Sequence, residues 1–234
     1  KYILAKPMGS PGGFEYRKAE LAILGKPNSD EDVVQSYLDQ VDGPASPLMK
    51  YLSHAVIAVN FGDVLFCHGG LNANNFGWLP PRHPAANAED MPSDLKLTPG
   101  PSGGERCEDV HDWIKESNRR AHEEVMDFVT RGKAYYDSLN SSYQPHWGTV
   151  GSYDHEQPGS RLGYLGMAQI AGPDKKTNPS IIYSSFIANG MPADIDASVA
   201  AKLQSAGINR IIVGHQPHGD APTLIQQHGL QVFM

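Results

Sequence analysis

Ten histidines are spread along the 234 residues, and two of them share one local design. Val64-Leu65-Phe66-Cys67 is an apolar run that ends in His68, followed by Gly69 and Gly70. Ile211-Ile212-Val213-Gly214 leads into His215, followed by Gln216-Pro217-His218-Gly219-Asp220. A short apolar run bounded by turn residues reads as a buried strand. In open α/β sheets, ligands gather beyond the carboxyl ends of strands. A rigid strand fixes an imidazole, and a neighbouring glycine lets another group approach the backbone. That is how a sheet protein holds a metal ligand. Neutral imidazole suits Zn, Mn, Fe and Co alike, so the residue type does not choose the metal. Taken singly, either histidine is more often a surface or hydrogen-bonded core residue than a metal ligand; it is the pair on two strand ends that raises the metal reading.

The elements that must position these groups follow from pattern. Lys1 to Leu4 reads as a strand end, and Phe14 to Leu24 has helical spacing. Ser29 is an N-cap with Asp32 three residues on, and Val33, Val34, Tyr37, Leu38 and Val41 form the stripe of the helix that follows. Leu48 to Leu52 is a helical turn. Ala55 to Asn60 and Val64 to Cys67 are strands joined by a hairpin-like turn at Phe61-Gly62-Asp63. The stretch from Asn72 to Gly104 is rich in Pro, Asn, Gly and Ser and reads as one long loop. Val110 to Thr130 is the clearest amphipathic helix, and Tyr135 to Arg161 is irregular. Leu162 to Ala171, Ser180 to Phe186 and Ile208 to Val213 read as strands, and Ile195 to Gln204 as a helix. Thr223 to Gln227 and Gln231 to Met234 form a strand pair around His228-Gly229.

Composition excludes several classes. Lys and Arg number 19 against 26 Asp and Glu, a formal charge of -7 with no basic run, which argues against nucleic-acid binding. No apolar run approaches the ~20 residues of a membrane span, so no membrane partner is expected. Gly (24) and Pro (18) are abundant, which disfavours helix bundles and coiled coils. Two cysteines, Cys67 and Cys107, rule out a disulfide framework, leave room for one bridge, and favour a reducing, cytoplasmic setting.

The string from Val64 to Leu71 resembles the strand–His–Gly–Gly–Leu motif of the calcineurin-like metallophosphoesterases and related phosphoprotein phosphatases. Ile211 to His215 resembles their later strand–Gly–His motif. The match runs from about Ala55 to the C-terminus. The resemblance implies an α/β (α+β) fold, a four-layer α/β/β/α sandwich. It implies two divalent metal ions (Mn, Fe or Zn) and hydrolysis of a phosphorylated substrate by a hydroxide held between them. By motif position, His68 and His215 would ligate the same ion. Arg161, just before a strand, is the candidate phosphate clamp, because a guanidinium fork fits phosphate. His218 and Asp220 are candidates for groups that orient an imidazole. Arg119 and Arg120 read instead as a solvated helix face. Trp78 and Trp147 are loop anchors or substrate contacts.

The chain departs from the family in one respect. The early Asp-x-His, Gly-Asp-x-x-Asp-Arg and Gly-Asn-His elements, which supply the bridging carboxylate and the other ligands, are not found before His68. Asp109-Val110-His111 has the letters of the first but sits at a helix start, and Gly62-Asp63 is a turn. Residues 1–234 are accordingly expected to be one partial domain, with N-terminal and extreme C-terminal parts absent, inactive alone and catalytic in the parent protein. Two other functions are compatible with the same residues: a catalytically dead relative that binds a phosphorylated partner or acts as a scaffold, and a single-metal histidine protein of another class.

Overall fold

The computed structural model describes residues 2–5, 9–82, 95–100, 104–138, 158–159, 181–182, 184–188, 190–214 and 220–234. The chain forms two compact units, Lys1–Ser53 and His54–Met234.

The first unit is helical. Tyr2–Ala5 form a helical turn, α1, where a strand end was expected. Helix α2 spans Gly13–Ile23 and α3 spans Asp30–Leu38. Ser29 caps α3 through a complete capping box: its hydroxyl accepts from the Asp32 amide and the Asp32 carboxylate accepts from the Ser29 amide. Phe14, Leu21 and Val33 are buried together, with Leu4 and Tyr37 against them. The expected stripe of α3 is only partly used. Val34, Leu38 and Val41 are exposed: the rotation that buries Val33 turns Val34 and Leu38 away, and Val41 lies past the end of α3 at Leu38. Helix α4 spans Pro47–Ser53.

The second unit is a mixed α/β fold. Its five-stranded sheet has the order β1-β2-β8-β10-β9. The strands are β1 (Ala58–Phe61), β2 (Val64–Cys67), β8 (Arg210–Val213), β9 (Leu224–Gln227) and β10 (Leu230–Phe233). β2, β8 and β10 run parallel, flanked by antiparallel β1 and β9. The β9–β10 hairpin turns through His228 at φ 49° and Gly229 at φ 74°, the left-handed pair a two-residue turn requires. One face of the sheet is core: Ala58, Leu65, Ile211, Val213, Ile225, Leu230 and Val232 are buried. Strand β1 starts later than expected because the Asn118 side chain accepts from the Ile57 and Ala58 amides and donates to the Ala58 carbonyl, closing that stretch of the edge.

The long loop expected between Asn72 and Gly104 is not structureless. It contains β3 (Trp78–Leu79) and β4 (Leu97–Pro99), which pair with β5 (Glu105–Cys107) as a small antiparallel sheet. Segments of two or three residues are too short for alternation to register in sequence. Trp78 is buried and its carbonyl accepts from the Trp113 indole at 2.9 Å, so it is a loop anchor. Helix α5 runs from Val110 to Ser138, beyond the expected end at Thr130 and into the stretch expected to be irregular, of which residues 139–157 lie outside the described residues. The Asp109 carboxylate caps it at the Asp112 amide, as a helix start should.

The expected strand at 180–186 is absent among the described residues. Ile181 and Ile182 form a turn, and the strands come later as the two-residue pair β6 (Ile187–Ala188) and β7 (Met191–Pro192). The strand expected at 162–171 lies outside the described residues. Helix α6 (Ala197–Ser205) is capped by Asp196, whose carboxylate accepts from the Ser198 and Val199 amides. Cys67 and Cys107 are both free thiols.

Candidate functional site

The five-stranded sheet decides where the two motif histidines can meet. β2 and β8 are adjacent and parallel, with Val64 opposite Arg210 and Cys67 opposite Val213. Their carboxyl ends therefore leave the sheet at one edge, roughly 4.8 Å apart. Just past that edge the Gly214 amide donates to the His68 carbonyl at 3.2 Å. A Cβ placed on Gly214 would stand 3.9 Å from Nδ1 of His68. The His68 side chain is exposed, on the strand end that adjoins the residue preceding His215. His215, His218 and Arg161 lie outside the described residues. Asp220 is exposed at a turn.

The two glycines after His68 serve backbone packing. The Gly69 amide donates to the Ile181 carbonyl at 2.8 Å, and the Gly70 amide to the Ser184 carbonyl at 2.6 Å. A Cβ on Gly69 would stand 2.6 Å from the Ile182 oxygen, and one on Gly70 2.9 Å from the Ser185 carbonyl carbon. The group that glycine admits is thus the backbone of residues 181–182 and 184–186, and the clasp fixes the chain immediately after His68. Asn75, fully buried, extends it: its amide donates to the Gly70 carbonyl at 2.9 Å and to Ser184 Oγ at 3.0 Å. Its side-chain carbonyl accepts from the Asn72 amide, and the Asn72 side-chain carbonyl accepts in turn from the Asn74 amide two residues on, an Asx-type turn. The Asn72-x-x-Asn75 spacing was the available sequence signal, and it passed unread among the loop residues.

Cys67 turns to the core side, as strand alternation predicts. Burial pushes its thiol up to about 12, and Sγ donates to the Gly69 carbonyl at 3.3 Å. It is a packing group held protonated.

Arg119 and Arg120 require a correction. Arg120 is 2% exposed and belongs to no solvated face. Its Nε donates to Glu116 Oε1 at 2.7 Å, its Nη2 to Glu105 Oε2 at 2.6 Å, and Nη1 to the Pro80 carbonyl. Arg119 grips the same Glu116 with two bonds, and Arg82 grips Glu105 with two more. Burial pushes the Glu116 carboxyl up, but the two guanidinium groups outweigh it and hold it below its ordinary value. Glu105 follows the same balance between burial and its two arginines. The network binds α5 to β5 and to the chain at 80–82. Its arginines have carboxylate partners, so they form a structural tie and not a phosphate clamp.

Among the described residues, no group of three or more His, Cys, Asp or Glu side chains could hold a metal ion, and no helix is long and apolar enough to cross a membrane. An exposed imidazole on a rigid strand end is a suitable donor for a borderline metal, but a carboxylate shell is not part of the described edge. No protein-family model, curated protein or solved structure matches the chain.

Proposed function

We propose that the chain is part of a metal-dependent hydrolase of phosphate esters, of the calcineurin-like type. The observation that carries this reading is the parallel adjacency of β2 and β8. Two strings 146 residues apart in sequence deliver His68 and Gly214 to one sheet edge, with His215 next in the chain. Under this proposal His68 and His215 hold one ion, and the carboxylates that complete a two-ion centre come from outside the described residues. When bound, the ions polarise the phosphoryl oxygens and lower the pKa of water to supply a nucleophile at neutral pH. The chain's own contribution is orientation: β2 and the Gly69–Gly70 clasp fix the His68 backbone on both sides. Arg161 as phosphate clamp, and His218 and Asp220 as groups orienting an imidazole, belong to the same proposal.

The sheet's outer face supports the layered architecture that goes with it. The register aligns Val59, Phe66, Ile212, Phe233 and Leu224 in one row across all five strands. Four of the five are exposed and Phe233 is half-buried. A continuous apolar row on the face opposite the core is a surface for a second sheet packed about 10 Å away. A four-layer α/β/β/α sandwich would cover it.

The test uses the parent protein that contains these residues, loaded with Mn and assayed on p-nitrophenyl phosphate. His68→Ala and His215→Ala should each lower the rate at least about tenfold, equivalent to about 1.4 kcal/mol of transition-state stabilisation. Metal content should fall in parallel. A rate unchanged in either variant removes that residue from the site. A parent that binds phosphopeptides but hydrolyses nothing at any metal loading would favour the scaffold function instead.

A further inference from the structure

A cavity of about 290 Å³ lies between the small antiparallel sheet and the first turns of α6. Thr98, Arg106 and Glu108 line one side, Ser198 and Lys202 the other, and Phe76 contributes apolar surface. Its size is near the lower end of ligand pockets, roughly 300 Å³, and suits a small anion with an organic substituent.

Arg106 is the unusual group here. Its guanidinium donates to the carbonyls of Phe76 at 2.6 Å, Asn74 at 2.8 Å and Ala73 at 3.3 Å. These carbonyls fix the planar fork but do not neutralise it. Burial lowers the Arg106 pKa from its ordinary value, and the opposing influence is the field of Glu108, acting without a hydrogen bond. The three bonds leave Nε–H and one Nη2–H of the guanidinium for another acceptor. Lys202 stands across the cavity in an ion pair with Glu108, whose side chain is 70% exposed. The hydrogen bond and charge of Lys202, together with the field of Arg106, hold the Glu108 carboxyl below its usual value. One exposed carboxylate thus sits between two cations.

That arrangement describes an anion site with its own internal competitor. We propose that the cavity binds a phosphate-type oxyanion between Arg106 and Lys202, and that Glu108 swings out to solvent as the oxyanion replaces it. A guanidinium fixed by carbonyls offers the fork geometry that phosphate oxygens accept, and Lys202 supplies a point charge. Glu108 loses little on leaving, since an exposed ion pair contributes little to stability. Asp196 already takes the Ser198 and Val199 amides, so the start of α6 lends the cavity its field but not those amides. The inference does not depend on the metal site at His68.

The test is calorimetric titration of the chain, stripped of metal with a chelator, at low ionic strength. Inorganic phosphate and O-phosphoserine serve as separate probes, so that a bare anion and an ester are distinguished. Saturable binding of at least one, with a Kd at or below about 1 mM, is expected. Arg106 also braces three carbonyls, so the decisive variants are the exposed Lys202→Gln and Glu108→Gln. Lys202→Gln should weaken binding about tenfold, and Glu108→Gln should tighten it about threefold or more by removing the competitor. A merely structural role for the pair gives no such opposite signs. His68→Ala should bind as the unchanged chain does. Absence of saturable binding overturns the proposal, as does an affinity unchanged in either decisive variant or lost in His68→Ala.

Discussion

Gly69→Ala puts the clasp behind His68 to a quantitative test. A Cβ at this position would stand 2.6 Å from the Ile182 carbonyl oxygen and 2.8 Å from that of Ile181, whereas ordinary van der Waals contact begins at 3.4 Å. The obstacles are backbone atoms, which no rotamer change can clear, so one segment must retreat by about 0.8 Å. Overpacking of this kind costs about 1–3 kcal/mol. Retreat also lengthens the Gly69-to-Ile181 hydrogen bond, now 2.8 Å, which adds about 0.5–1.5 kcal/mol. The sum is about 1.5–4.5 kcal/mol. For a unit of this size each kcal/mol lowers Tm by about 2–4 °C, so thermal unfolding by circular dichroism should show a fall of about 3–18 °C. Gly214→Ala is the matched control. Among the described residues its Cβ would meet only Nδ1 of His68, at an unstrained 3.9 Å. Its Tm should stay within about 2 °C, while its methyl group stands against the imidazole and weakens metal binding in the parent protein. A Gly69→Ala protein as stable as the control would refute the clasp, and the glycine would then need another reason.

Arg120→Met should cost about 3–5 kcal/mol at pH 7, because it leaves Glu116 and Glu105 short of a buried partner. Both carboxyls sit below their ordinary 4.5 in the folded protein. Their contribution is therefore present above that value and is lost as pH falls through their folded pKa. The gap between wild type and variant should narrow in urea titrations below about pH 4.5, and a gap independent of pH would contradict the assignment. Asp196→Ala removes the acceptor of two α6 amides and should cost about 0.5–2 kcal/mol, while Asp196→Asn retains most of that cap. Equal losses in the two variants would show that the Asp196 charge, and not capping, matters.

Much of the architecture was legible because it is local. The apolar runs of β2 and β8 announce strands. Ser29 with Asp32 announces the start of α3, and His228-Gly229 announces a hairpin. Adjacent glycines after His68 marked a close approach, although the sequence did not say that the visitor was the chain's own backbone at 181–182 and 184–186. The short β3, β4 and β5 escaped notice because alternation needs more residues than they have. Arg120 escaped for a different reason. A guanidinium in a charge-rich helix looks solvated until its carboxylate partners are placed, and one of them, Glu105, lies on another element. Val34, Leu38 and Val41 erred in the opposite sense. Apolar spacing shows that a helix has a face, not that a neighbour covers it.

The amino-acid order alone determined which residue types follow which strands: an imidazole and two glycines after β2, a glycine and an imidazole after β8. It determined the caps and the turns for the same reason, since each depends on groups a few bonds apart. Only the tertiary structure decided that β2 and β8 lie side by side and parallel, and that Arg106 faces Lys202 across a cavity. Those relations join segments about a hundred residues or more apart. They are fixed by burying one face of a sheet and by satisfying the backbone at its edges, which no local pattern can encode.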